Sequence, residues 1–147
     1  MNYTAAKLGR VFVMRLADGD VVHECVEELA RRERVMRAAV LLVGGADAGS
    51  RLVVGPADGR AAKIEPMSLL LENVHEALGV GTLFPDAAGR PVLHMHAAFG
   101  RGAEVRAGCV RQGVKTWLIG EIIVIELVDC EATRRRDPQS GFELLSV

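Results

Sequence analysis

The segment Val92-Leu93-His94-Met95-His96 sets two imidazoles two residues apart among apolar neighbours. Val, Leu and Met at these positions predict a strand, and alternate side chains of a strand share a face, so His94 and His96 point the same way. The turn residues Gly100-Arg101-Gly102 and a second run ending at Cys109 predict a hairpin. With its centre between Arg101 and Gly102, Cys109 falls opposite His94 on the same face. Two imidazoles and a thiolate converging on one patch form a ligand set for zinc or another divalent transition metal. A slip of one residue would send Cys109 to the other face. The same residues also admit a plainer reading: two histidines on a polar strand face and a cysteine acting as a small apolar residue.

A strand pair can hold such a group only if a sheet and a core hold the strands. The 147 residues are enough for one domain with a substantial core, and no repeat or second domain is evident. Half of the chain is hydrophobic and only 4% is aromatic, so the core must be built from Val, Leu, Ile and Ala. A formal net charge of −1 gives no global field toward nucleic acid or an anionic membrane, although a local basic patch stays open. Three cysteines, Cys25, Cys109 and Cys130, without a leader-like N-terminus fit a reduced, cytoplasmic setting. No apolar run reaches the roughly 20 residues of a membrane span.

Along the chain, 10–16 reads as a buried strand stopped by Ala17-Asp18-Gly19-Asp20, with Asp20 placed to cap a helix. Val22, Cys25, Val26 and Leu29 then follow the spacing of an amphipathic helix, with Glu27–Arg31 and Glu28–Arg32 pairs on its outer side. Residues 38–43 and 52–54 read as strands. Gly44-Gly45 has neither a phosphate-loop ending nor a dinucleotide fingerprint and is read as a turn or bulge. Residues 56–65 form a polar loop, 68–71 are apolar, and 73–78 are ambiguous between helix and strand. The next strand, 79–84, has glycines suited to close backbone approach. Gly120 to Val128 is apolar on both faces and reads as a central strand. Glu121 at its start is a candidate general base, metal ligand or partner of a histidine. Glu76 and His75 are further polar candidates, with His75 read as a surface residue. Many strands and one early helix describe an α+β domain with a largely antiparallel sheet.

These residues resemble the plants-and-prokaryotes conserved (PPC) domain in its stand-alone prokaryotic form. The resemblance rests on Arg10 to Leu16 with Gly19-Asp20, on Gly79-Val80-Gly81-Thr82, and on Leu93-His94-Met95-His96-Ala97-Ala98. It also rests on Gly120-Glu121-Ile122-Ile123-Val124 and on the run from Arg136 to Leu145. It implies one domain over 1–147 with an N-terminal extension at 1–9. It further implies an antiparallel sheet flanked by helices, assembly as a homotrimer, and a DNA-associated or regulatory role. Where the family pattern has Gly-Gly-His-Leu, this chain has Ala107-Gly108-Cys109-Val110, so a cysteine stands in place of a histidine. Cysteine is still a competent zinc ligand, with an altered preference among metals.

Three functions compete. A DNA-associated trimer would contact phosphate through Arg134, Arg135 and Arg136, or through Arg31, Arg32 and Arg34. Against it stand the near-neutral charge and the lack of aromatics for stacking. Gly89-Arg90-Pro91 matches part of an AT-hook core but lacks basic flanks and reads as a turn. A metal-dependent enzyme or small-molecule binder would use His94, His96 and Cys109 with an open fourth position. An oligomerisation module would use the histidines only as structure.

Overall fold

The computed structural model describes residues 1–61 and 64–147. Part of the polar loop read over 56–65 therefore lies outside the described residues. An eight-stranded antiparallel sheet dominates, in the order β1-β8-β2-β5-β6-β7-β3-β4. Its strands are β1 (Lys7–Ala17), β2 (Ala38–Ala46), β3 (Arg51–Pro56) and β4 (Pro66–Leu70), followed by β5 (His75–Pro85), β6 (Pro91–Arg101), β7 (Glu104–Cys109) and β8 (Thr116–Val128). A helix, α1 (Val22–Glu33), a 3-10 turn at Val110–Gln112, and a hairpin of β9 (Thr133–Arg136) with β10 (Glu143–Ser146) complete the fold. It is α+β, as the element pattern predicts.

The strands form because their apolar residues alternate, and the alternation decides which face is covered. On β6, Leu93, Met95, Ala97 and Phe99 are buried, whereas His94 and His96 are exposed. On β8, Ile122 and Val124 are buried while Glu121 is exposed. The inner face packs against α1, which contributes Val22, Val26 and Ala30. Gly81 allows β5 and β6 to approach: a Cβ there would lie 2.8 Å from the Met95 Cβ.

Several local expectations change in physical detail. Asp20 does not cap α1; its Oδ2 accepts a bond from the Ala17 N–H at 2.8 Å and closes the preceding turn. Helix α1 begins without any side-chain cap and ends at Arg34 in the left-handed region, φ 57°. The expected i, i+4 pairs give way to Arg31–Glu28 at 2.9 Å, an i, i+3 pair, and Arg32–Glu33 at 3.8 Å, while Glu27 turns inward to the Leu93 N–H. The Gly44-Gly45 pair is a β-bulge against β8. Residues 75–78 join β5, and His75 is buried, with its Nδ1 2.7 Å from the Asn73 carbonyl. Strand β1 starts at Lys7, paired with Val128, so the irregular N-terminal segment is shorter than 1–9.

Candidate metal centre

Hairpin β6–β7 turns through Gly102 and Ala103, with Arg101 paired to Glu104. Gly102 has φ 59°, the positive value that a two-residue hairpin loop requires at its first central position. The centre is therefore one residue later than the sequence spacing suggests, and Cys109 pairs with His96 and not with His94. A shift of one residue at the centre moves the pairing by two, and a shift of two preserves the face. His94 instead faces Thr82 on β5.

The ligand atoms of His94, His96 and Cys109 lie within 4.8 Å of one another. The two Nε2 atoms are 3.2 Å apart, with the rings edge to face at 89°. Two nitrogens bound to one tetrahedral zinc at ordinary Zn–N lengths would be about 3.3 Å apart. The imidazole pair thus already has the spacing of a shared ion, and the thiol sits on its buried side. Although His94 is exposed at the surface, partial desolvation of its ring among its neighbours lowers its pKa, and Arg134, His96 and Arg111 add to the effect. A neutral imidazole is the form that binds metal.

Strand β7 ends at Cys109, and the 3-10 turn leads the chain away. Residues 91–95 of β6 consequently have no β7 partner, and a cleft of about 520 Å³ opens along that edge. The Leu93 N–H, without a β7 partner there, donates to Glu27 Oε1 at 3.0 Å. The cleft reaches His94 and is lined also by His23, Arg111 and Arg134. Arg134 is 6% exposed; its Nη2 donates to the Thr82 hydroxyl at 3.1 Å, and its guanidinium carbon lies 5.9 Å from the Phe84 ring centre. Burial pushes the Arg134 guanidinium down, while Glu143 and Cys109 act the other way.

The other sequence candidates lie elsewhere. Glu121 is exposed on the same outer face, but two strands, β2 and β5, lie between β8 and β6, and the three inter-strand spacings amount to about 14 Å. Glu76 pairs with Gly100, four residues along β5 from Val80, the neighbour of His96, or about 13 Å away. Of the arginine triplet, Arg135 and Arg136 are exposed, whereas Arg134 is buried and lines the cleft. Arg31, Arg32 and Arg34 are exposed at the end of α1. Gly89-Arg90-Pro91 is a turn, tied by the Arg90–Asp86 ion pair at 2.7 Å. Sequence reasoning missed His23 and Arg111; neither has a spacing signal, because only the fold brings α1 and the 3-10 turn to the edge of β6.

The sequence pattern of the Plants and Prokaryotes Conserved (PCC) domain, the PPC family, matches residues 3–128. The chain belongs to this family. Its fold is that of a metal-containing protein from Archaeoglobus fulgidus, at 22% identity over all of both chains, TM-score 0.85. It is also similar to a PPC protein from Pyrococcus horikoshii, at 18% identity over 100% of this chain and 98% of that one, TM-score 0.86. A candidate DNA-binding protein from Ralstonia eutropha is similar at 23% identity over 92% and 90% of the chains, TM-score 0.70. Among curated proteins, none matches. Among the described residues, no helix is long and apolar enough to cross a membrane.

Proposed function

We propose that this PPC domain is a homotrimer that carries zinc or another divalent transition metal on His94, His96 and Cys109 and acts in association with DNA. The observation that carries the metal assignment is the convergence of two imidazoles and a thiol within 4.8 Å. The donor set suits a borderline-soft ion, and the Archaeoglobus fulgidus protein of the same fold is described as metal-containing. Three protein ligands leave a fourth position, where the ion would act as a Lewis acid. The homotrimer is supported by the family resemblance and by the bare outer face of the sheet. There Val13, Ile123, Leu41 and Val80 form one row that runs on to His96 and Cys109. Val13 is 79% exposed and Val80 63%, an apolar surface that a second subunit would cover. DNA association is supported by the family and by the candidate DNA-binding protein from Ralstonia eutropha that shares the fold. Arg135, Arg136 and the arginines closing α1 supply the exposed cations for phosphate.

Elemental analysis of the purified protein and of Cys109→Ala tests the centre. The expected result is near-stoichiometric metal that Cys109→Ala loses; a protein without metal after zinc reconstitution removes the assignment. Duplex binding that weakens steeply with salt supports the DNA role, and no binding at low salt removes it.

A second reading, a metal-dependent enzyme or small-molecule binder at the same residues, is favoured by one observation. The cleft ends at His94.

A further inference from the structure

Two polar atoms of residues that line the cleft stand out because they are buried and unpaired. Arg134 Nε and His23 Nδ1 are shielded from solvent and have no hydrogen-bond partner among the described residues. Both residues line the same cleft, although one comes from β9 and the other from α1. A buried polar atom without a partner costs free energy, so this arrangement fits a site whose ligand supplies the missing acceptor for the Arg134 Nε–H and a partner for His23 Nδ1. Arg134 is well held for such a role: Thr82 and Phe84 fix the guanidinium while its Nε stays unpaired. Arg111, exposed on the 3-10 turn, lines the cleft as a second cation.

We infer that this cleft binds a small organic monocarboxylate, its carboxylate held by Arg134 and Arg111 beside His94 and its hydrocarbon body lying against Val92, Phe142 and Leu144. A guanidinium recognises a carboxylate through paired, charge-assisted bonds. Charge selects a monoanion: Glu27 and Glu143 also line the cleft and would repel a doubly charged phosphate. Volume agrees, since about 520 Å³ lies in the range of small-molecule sites. The inference rests in part on the metal reading, because the two glutamates balance the two arginines. A divalent ion on two imidazoles and one thiolate would leave the cleft net positive.

Calorimetric titration of zinc-loaded and metal-free protein with acetate, butyrate, hexanoate and inorganic phosphate tests it. Zinc-loaded protein should bind butyrate and hexanoate more tightly than acetate, and phosphate least. Arg111→Ala, an exposed change, should weaken butyrate binding about tenfold with zinc content unchanged, and Arg134→Lys should weaken it at least as much. Zinc-loaded protein that ignores all three carboxylates, or prefers phosphate, overturns the cleft assignment and leaves the metal centre standing. Protein that holds no zinc yet binds butyrate through Arg111 keeps the cleft and refutes the centre. Protein that binds neither refutes both.

Discussion

At the scale of single residues, the chain sets its charged groups in two contrasting surroundings. Arg134 is buried with an unpaired nitrogen, whereas Glu126, also buried, is fully engaged. Glu126 accepts bonds from the Arg10 side chain, Nε at 2.8 Å and Nη2 at 2.9 Å, and from the Arg10 backbone N–H at 3.1 Å. The Arg10 side-chain bond is the main reason its carboxyl is held below the ordinary glutamate range, with burial opposing. A carboxylate depressed on folding contributes stability that is complete above its unfolded pKa of about 4.3 and lost as pH falls through the folded value. Chemical denaturation of the wild type should therefore show stability declining below about pH 4.3. Arg10→Met should make that acid decline shallower, and an unchanged pH profile would show that the pair is not coupled to folding.

At the scale of elements, the candidate metal group depends on where β7 stops. Cys109 is its last residue, opposite His96, and Val53 of β3 pairs with it from the other side. The preceding Gly108 lets β3 approach: a Cβ there would lie 2.7 Å from the Val53 carbonyl oxygen and 3.0 Å from the Leu52 Cβ. Both are core or backbone atoms with little freedom to move. Gly108→Ala should push β7 off β3, destabilise the protein by about 1–3 kcal/mol, and weaken zinc retention by displacing the Cys109 thiol. Gly102→Ala, with open space around its Cβ but φ 59°, should cost stability through the turn alone. Denaturation midpoints together with a competitive zinc chelator distinguish the two: if Gly108→Ala retains zinc like the wild type, β7 does not position the thiol.

At the scale of the whole molecule, the sheet is covered on one side only. Helix α1 and the 3-10 turn lie over the inner core, and the outer face presents Val11, Val13, Val43, Leu78 and Val80 to solvent. So much exposed aliphatic surface in one sheet face is unusual for a monomer. Assembly of three subunits through this face would bury it and bring the histidine row to a subunit boundary. Val13→Glu, far along the row from the candidate metal group, should convert the proposed trimer to monomer in light scattering, with zinc content unchanged where one subunit supplies all ligands. A trimer that survives Val13→Glu would exclude β1 from the interface. A trimer lost together with the zinc would mean that the centre needs the neighbouring subunit.

Much of this protein was determined by sequence alone. Periodicity is local, so the strands around His94 and Gly120 and helix α1 were legible, and Gly44-Gly45 was narrowed to a turn or a bulge. The PPC resemblance covered the fold, and the parity of His94, His96 and Cys109 placed them on one face. Tertiary structure decided what parity cannot. A positive φ at Gly102 chose His96 as the partner of Cys109, because a turn is set by backbone geometry and two registers can serve the same face. Two intervening strands, β2 and β5, kept Glu121 from the histidines, since strand order is not written in any local pattern. The meeting of His23, Arg111 and Arg134 at the open edge of β6 depends on contacts between distant segments, and only the folded chain brings them together.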